Sequence, residues 1–469
     1  MEKLFIHYDK ELVGTLEYEP LANDFTFKYD DEWTINGFEL SPSLKFSGFE
    51  SNAFKLFIEN LLPEGDGLEE ISIYYQISKS NKFALLKKIG AETTGALTFT
   101  ESKELKIETS FREISILELQ ERVEKREIES IYVWDKKLRL SVAGVQEKLP
   151  LTIIDGKMGL GEGDICSTHI LKFNRKNENV VLNEYISLRL AKAVGINVAE
   201  VEYLRLGKEG VLIVKRFDRE IISNSLVKRL HIIDSVQALG YPASFKYERL
   251  FDSKDIRDGV SFKKLFSLQK EAKVPVLFIE QLIQWNMINL CLGNSDAHGK
   301  NISFFVDRGG LEIAPFYDIV NVTMYDKYEQ DMAMAIDDEF RFDDLKAFDF
   351  SEFFKQNKIN KTQYFNDFKE LVKKIQEHLT FDFIEDDLKR GEASFISSYR
   401  DNLVARINKL IDTLNEAQFV LPLDENYEEF YDEYKKIITR KVKDSECSKK
   451  EAVEKYLLLI EKEMIGHIY

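Results

Sequence analysis

Residues 292–301, LGNSDAHGKN, restrict the fold more than any other stretch of this chain. The largely apolar run at 282–292 before them has helical character, and the apolar run at 302–306 after them has strand character. A polar, ionisable segment is therefore pinned between two elements that both belong inside. Such a segment usually lines a site, because rigid neighbours on either side fix side chains that would otherwise be free in water. A glycine turn at 307–310, a second strand-like run at 311–316 and then Tyr317-Asp318-Ile319 follow. Any fold for this chain has to bring a helix end, a hairpin and the acidic residue beyond it to one place.

At 469 residues the chain exceeds one ordinary domain, so two or three lobes with a substantial core are expected. Lys and Arg number 65 against 82 Asp and Glu, a net charge of −17, which disfavours broad contact with a phosphate backbone. Direct nucleic-acid binding is not expected. The cysteines Cys166, Cys291 and Cys447 are odd in number and far apart, which fits neither a disulfide framework nor a thiolate zinc site. A reducing cytoplasm is the simplest compartment. No apolar run approaches a membrane span and the N-terminal stretch has no continuous apolar signal region, so no membrane association is expected.

In chain order, alternating runs at 4–8, 12–18 and 25–29 predict a small antiparallel sheet. Helical patterns follow at 54–62, 71–77 and 84–90, the first stopped by Pro63 and Gly65, with 95–97 entering another strand. Nothing in this block carries obvious chemistry, and it reads as a packing or docking lobe. The charged, glycine-free segment 101–129 predicts a connector helix. Two strands at 138–142 and 149–154 flank a loop with one glycine, Gly144, and one lysine, Lys148. Residues 167–173 form a strand with Lys172 in an apolar setting, 183–194 a helix with Glu184 near its start, and 200–206 and 211–217 two further strands. After 231–239 the chain is largely helical, apart from the hairpin, to about 411. Beyond that, 427–438 and 452–465 carry apolar stripes at helical spacing in a charged background.

The chemistry rests on spacing and order. Asp296 and Asn301 stand at the D-x-x-x-x-N interval of a protein-kinase catalytic loop, where the Asp accepts a hydroxyl proton and the Asn holds a metal. Alone, the interval is a weak signal, since a turn whose side chains bond their own backbone can carry the same residues. Asp318, after the hairpin, stands where a kinase keeps its second metal ligand, and Lys172 is the candidate strand lysine for nucleotide phosphates, with Glu184 as its helix partner. His298, between Ala297 and Gly299, fits a supporting hydrogen-bonding role. The segment 231–239 occupies the place of a hinge that reads adenine through its backbone.

Taken together, SVAGVQEKLPL (141–151), THILKFN (168–174), NEYISLRLAKAVGI (183–196), VKRFDR (214–219), GNSDAHGKN (293–301) and APFYDIVN (314–321) closely resemble the HipA-type toxin serine/threonine kinases. FTFKYDDEW (25–33), ENLLPEGD (59–66) and IGAETTGAL (89–97) resemble that family's N-terminal subdomain, so the likeness covers about residues 1–415. It implies an α+β, two-lobed protein-kinase-like fold with an N-terminal mixed sheet and helix subdomain and a mainly helical C-terminal lobe. The divisions expected are 1–130 for the N-terminal subdomain and connector, 131–240 for the nucleotide-binding part, 241–415 for the helical catalytic lobe and 416–469 for a charged extension.

By the same resemblance Asp296 is the catalytic base, Asn301 and Asp318 bind Mg²⁺, and Lys172 contacts the ATP phosphates. Ser141, Val142, Ala143, Gly144, Val145, Gln146 and Lys148 form the phosphate loop, Ile233 and Ser235 belong to the hinge, and His298 adjoins the nucleotide. Ser141 matches the family's autophosphorylated serine, whose modification silences the enzyme. The implied partners are a protein substrate with a Ser or Thr acceptor, such as an aminoacyl-tRNA synthetase, and a HipB-like DNA-binding antitoxin; whether the chain forms a homodimer is left open. The hinge side chains Ile233 and Ser235 depart from the acid and aromatic associated with the family. Two other readings remain: a small-molecule kinase on the same fold, and a nucleotide-binding regulator that works with a DNA-binding antitoxin.

Overall fold

The structure is a computed structural model and describes residues 2–21, 24–139, 146–174, 178–250, 253 and 255–420. The loop residues Ser141, Val142, Ala143, Gly144 and Val145 and the stripes at 427–438 and 452–465 lie outside the described residues.

Period-two patterning builds the first sheet. In the strand Asp24–Tyr29, Phe25, Phe27 and Tyr29 are buried while Asp24, Thr26 and Lys28 face out. It pairs with Glu11–Glu19, which pairs with Glu2–Tyr8, which pairs with Leu97–Thr100, all antiparallel. The helices Ala53–Glu59, Gly65–Tyr75 and Lys82–Ile89 occupy the three expected places. Phe27 stacks on Phe54 with centroids 3.8 Å apart, and Tyr18 on Phe83 at 4.9 Å, so aromatic rings weld helices to sheet. An additional short helix, Asp31–Asn36, is set by its cap: the Asp30 carboxylate accepts the Glu32 N–H.

A six-stranded antiparallel sheet follows, in the order Val201–Leu206, Glu209–Lys215, His169–Phe173, Lys148–Ile154, Lys157–Glu162, Ser110–Glu113. Two expectations change here. The segment 101–129 is not one helix: Ser110–Glu113 is an edge strand, and the helix Ile116–Glu124 starts only at the Ser115 cap. The strand expected at 138–142 does not lie beside 149–154 in its described part. Lys137–Leu138 instead pairs with Val133–Trp134 across Asp135 and Lys136, whose φ values of 49° and 59° make the tight two-residue turn that closes hairpins.

The remainder is mainly helical, with Pro275–Leu292, Ala347–Gln356, Lys361–Glu377 and Ala393–Ala417 as its long members. Against them lies a three-stranded sheet of Ile232–Asp234, Ser303–Asp307 and Gly310–Ile313. One continuous apolar core runs from Leu4 to Ala417. No helix among the described residues is long and apolar enough to cross a membrane.

Candidate active site

The helix Pro275–Leu292 is buried along most of its second half and stops at Gly293, whose φ of 67° places it in the left-handed region. A side chain there would also meet Arg406 Nε at 2.6 Å and Thr323 Oγ1 at 2.8 Å, so glycine is required on two counts. This sharp exit delivers the polar segment into a cleft. The Asp296 carbonyl accepts the His298 N–H at 2.7 Å and the Asn301 side-chain N–H at 2.8 Å, which closes the loop on itself. The His298 ring Nδ1 accepts the Lys300 N–H at 3.2 Å and caps the short turn Gly299–Asn301. Tyr317, after the hairpin, donates its hydroxyl to the Lys300 carbonyl at 2.7 Å, so the loop is braced from the far side as well.

Asp318 has a φ of 57°, a left-handed conformation that Asp tolerates better than most side chains. Its Oδ1 accepts Lys172 Nζ at 2.6 Å, and the same ammonium donates to Glu184 Oε1 at 2.7 Å. Lys172 sits mid-strand with neighbours on both sides, and Glu184 is in the first turns of the helix Val180–Ala193. Burial opposes the charge on Lys172, but the Asp318 and Glu184 carboxylates outweigh it and hold the ammonium above its ordinary value. Burial likewise opposes the charge of Asp318, yet Lys172 holds that carboxyl down at about 2. For Glu184 burial wins and pushes the carboxyl up to about 7. Lys148 is lowered to about 8 by burial and then by the like charge of Lys172.

These groups share a cavity of about 780 Å³. It brings together Gln146, Lys148, Lys172, Ile233, Asp296, His298, Asn301 and Asp318 from five separate segments of the sequence. Ile170, Val214 and Phe217 supply apolar lining. Ser235 does not line it: the side chain is fully buried and its hydroxyl donates to the Gly299 carbonyl at 2.6 Å, holding the loop from behind. The wall is furnished instead by Lys215, Arg216, Phe217 and Asp218 at the end of the strand Glu209–Lys215.

Several lining residues were not visible in the sequence. Lys300 Nζ bonds the Asn60 carbonyl at 3.1 Å and Asn60 Oδ1 at 3.0 Å, and pairs with Asp234 at 3.1 Å and Glu64 at 3.4 Å. Asn60 and Glu64 come from the N-terminal part, so that part is more than a packing lobe: it furnishes the cleft with an amide and a carboxylate. The available signals were the polar residues flanking the Pro63-Gly65 helix stop and a lysine directly before Asn301.

The donor set suits a hard cation in part. Among the described residues no group of three His, Cys, Asp or Glu could hold a metal by itself. Asn301 commits its N–H to Asp296, which leaves its amide oxygen as a neutral ligand in the same cavity as the ionised Asp318. One carboxylate and one amide oxygen fit Mg²⁺, which keeps waters and takes substrate phosphate oxygens for the rest of its shell.

Comparison with known proteins matches residues 140–379 to the family model of the HipA-like C-terminal domain and residues 4–100 to that of the HipA N-terminal domain. The serine/threonine-protein kinase toxin HipA of Shewanella oneidensis is 39% identical over 424 residues, 89% of this chain and 98% of that protein. The putative kinase Y4mE of Sinorhizobium fredii is 31% identical over 368 residues, 75% of this chain and 85% of that one. Among solved structures, the Shewanella oneidensis HipA in complex with HipB and its operator DNA superposes with a TM-score of 0.80 at 39% identity, over 89% of this chain and 99% of that one.

Proposed function

This chain belongs to the HipA family and is a serine/threonine-protein kinase, and from that premise we propose that it transfers the γ-phosphoryl group of ATP, as the Mg²⁺ complex, to a Ser or Thr hydroxyl of another protein. The single observation carrying the reading is that one cavity joins Lys172, Asp296, Asn301 and Asp318, with Lys172 held by Glu184. In this reading the sheet that carries Lys172 and the helical part that carries Asp296 are the two lobes of a protein-kinase-like fold. The parts 131–240 and 241–415 divide nucleotide binding from catalysis.

The base of ATP lies against Ile170, Val214 and Phe217 and is read by the backbone at 215–217. Lys172 and Lys148 face the phosphates. Asn301 and Asp318 hold Mg²⁺, and charge neutralisation on the phosphate oxygens is what the ion supplies. Asp296 orients the acceptor hydroxyl and takes its proton as the oxygen attacks. Phosphoryl transfer needs little covalent chemistry from the protein, so rate comes from positioning and from fixed charge.

Three further assignments rest on the family. Ser141 is the autophosphorylation site that switches the kinase off. A HipB-like DNA-binding protein is its antitoxin partner, as HipB accompanies the Shewanella HipA. The acceptor is a cytoplasmic translation component whose modification arrests growth. Asp296→Asn decides the catalytic reading: transfer should fall by about 10²–10⁴-fold, the usual contribution of a general base, with Mg-ATP affinity nearly unchanged. Phosphoproteomics after induction, wild type against Asp296→Asn, then names the acceptor. Normal transfer by Asp296→Asn would sink the assignment.

A further inference from the structure

Resting on the assignment of Asp296 as the base, we propose that Tyr247 is the positioning residue that fixes which carboxylate oxygen of Asp296 receives the acceptor hydroxyl. The Tyr247 hydroxyl donates to Asp296 Oδ1 at 2.6 Å. Both residues line the cavity, and nothing in the sequence pairs them, since they are 49 positions apart.

The contact is built, not incidental. The strand Asp331–Ile336 acts as a bar between the two segments: the Ala333 N–H donates to the Ser295 carbonyl at 2.9 Å, and the Ala333 carbonyl accepts the Glu248 N–H at 2.9 Å. One residue of that strand therefore grips the immediate neighbours of both Asp296 and Tyr247. Glu248 is buried and anchored further: its Oε2 accepts the Ala335 N–H at 2.8 Å and its Oε1 accepts Arg257 Nε at 2.7 Å. The Tyr247 ring stands edge-on to the His298 imidazole, centroids 5.0 Å apart and planes at 88°. Burial, and next the Asp296 charge, keep the phenol far above its ordinary range, so the hydroxyl is a donor at every working pH.

The consequence is geometric. Asp296 is held at its backbone by His298 and Asn301 and at Oδ1 by Tyr247. With Oδ1 already accepting from Tyr247, Oδ2 is the better placed oxygen to take the Ser or Thr proton, and the hydrogen bond restrains rotation of the carboxylate. General-base catalysis depends on that aim, because the carboxylate oxygen has to lie within hydrogen-bond reach of the proton it takes.

Tyr247→Phe keeps the ring against His298 and removes only the hydroxyl. The assay is the initial rate of protein labelling from γ-labelled Mg-ATP, with the chain itself and added dephosphorylated casein as acceptors, beside Mg-ATP affinity by calorimetry and the thermal midpoint. Wild type, Tyr247→Phe and Asp296→Asn are compared. The expected result is a fall in kcat of about 10–100-fold, the scale of a small misplacement of reacting groups, with the KM for ATP and the midpoint unchanged. An unchanged kcat in Tyr247→Phe, with Asp296→Asn inactive, overturns the role of Tyr247 and leaves the base assignment standing. A raised kcat also overturns it, because the hydroxyl would then be a plug on the base. If Asp296→Asn labels protein like wild type, the base assignment falls and the role of Tyr247 falls with it.

Discussion

Two clusters of buried charge, built from the same kinds of side chain, are finished in opposite ways. Around Asp218, Arg216 Nε donates to Oδ1 at 2.9 Å, while Oδ2 accepts Arg216 Nη2 at 2.8 Å, Arg219 Nη1 at 2.6 Å and the Gly95 N–H at 3.0 Å. Arg219 goes on to the Gly95 and Thr93 carbonyls, so the cluster rivets the N-terminal part to the strand end at 215–219. The side chains of Arg216, Asp218 and Arg219 are 2%, 5% and 1% exposed. Burial opposes the Asp218 charge, but the two guanidinium groups hold its carboxyl far below its usual range. Around Lys172 the bonding stops short. Glu184 Oε2 is buried without a hydrogen-bond partner, Glu184 is pushed up to about 7, Lys148 is lowered to about 8, and Asp318 is 37% exposed toward the cavity. The Asp218 carboxylate is fully engaged, with Arg219 Nε the buried atom of its cluster left without a partner, and that cluster holds two parts together; the Lys172 cluster leaves a carboxylate oxygen unpartnered at the cleft and is poised for a charged ligand.

The larger energetic difference between the two clusters lies at Asp218. Asp218→Ala leaves two buried arginines with only the more distant Glu92, at 3.4 Å and 3.8 Å, as counter-charge, and equilibrium unfolding should show a loss of about 3 kcal/mol. The same experiment on Lys172→Met should read differently. Glu184 is already pushed toward its neutral form and can take up a proton when the ammonium goes, so the loss of stability should be only about 1 kcal/mol. Mg-ATP affinity carries the cost instead, falling by about tenfold to a hundredfold as a charge-assisted contact is lost. Equal destabilisation by the two variants would show that the Lys172 cluster is structural after all.

The sequence disclosed the site where its parts are local or follow one another in order. Asp296, Asn301 and Asp318 share a loop and the hairpin after it, and Lys172 is legible because a lysine inside an apolar strand is costly unless it has work to do. What stayed hidden is long-range. Lys300 meets Asn60 across 240 positions, and Gly95 meets Asp218 across 123, and no periodicity encodes such pairs. Ser235 lies off the lining for a different reason: Ile232, Ile233 and Asp234 all face the cavity, but the helix that begins at Ser235 turns its hydroxyl to the Gly299 carbonyl. The two-residue turn at Asp135-Lys136 was missed because it is closed by two residues in the left-handed region without a glycine to announce it.

The smallest effect is also the most specific to an unsaturated cluster. An ordinary lysine titrates near 10.5, and Lys148 is lowered to about 8 by burial first and by Lys172 second. A base whose folded pKa is depressed makes a contribution to stability that is present above pH 10.5 and lost as pH falls through 8, where the folded protein has to charge it. Triphosphate beside Lys148 reverses the cause, since nearby negative charge favours the ammonium. Binding of Mg-ATP at pH 8 should therefore draw in about half a proton per site, the share of Lys148 that is neutral at its midpoint. Calorimetric binding heats measured in two buffers of different ionisation enthalpy give that number directly. Lys148→Met should remove the buffer dependence. Heats that agree between buffers for the wild type would mean that Lys148 does not face the phosphates, and the contrast between the two clusters would then rest on Lys172 alone.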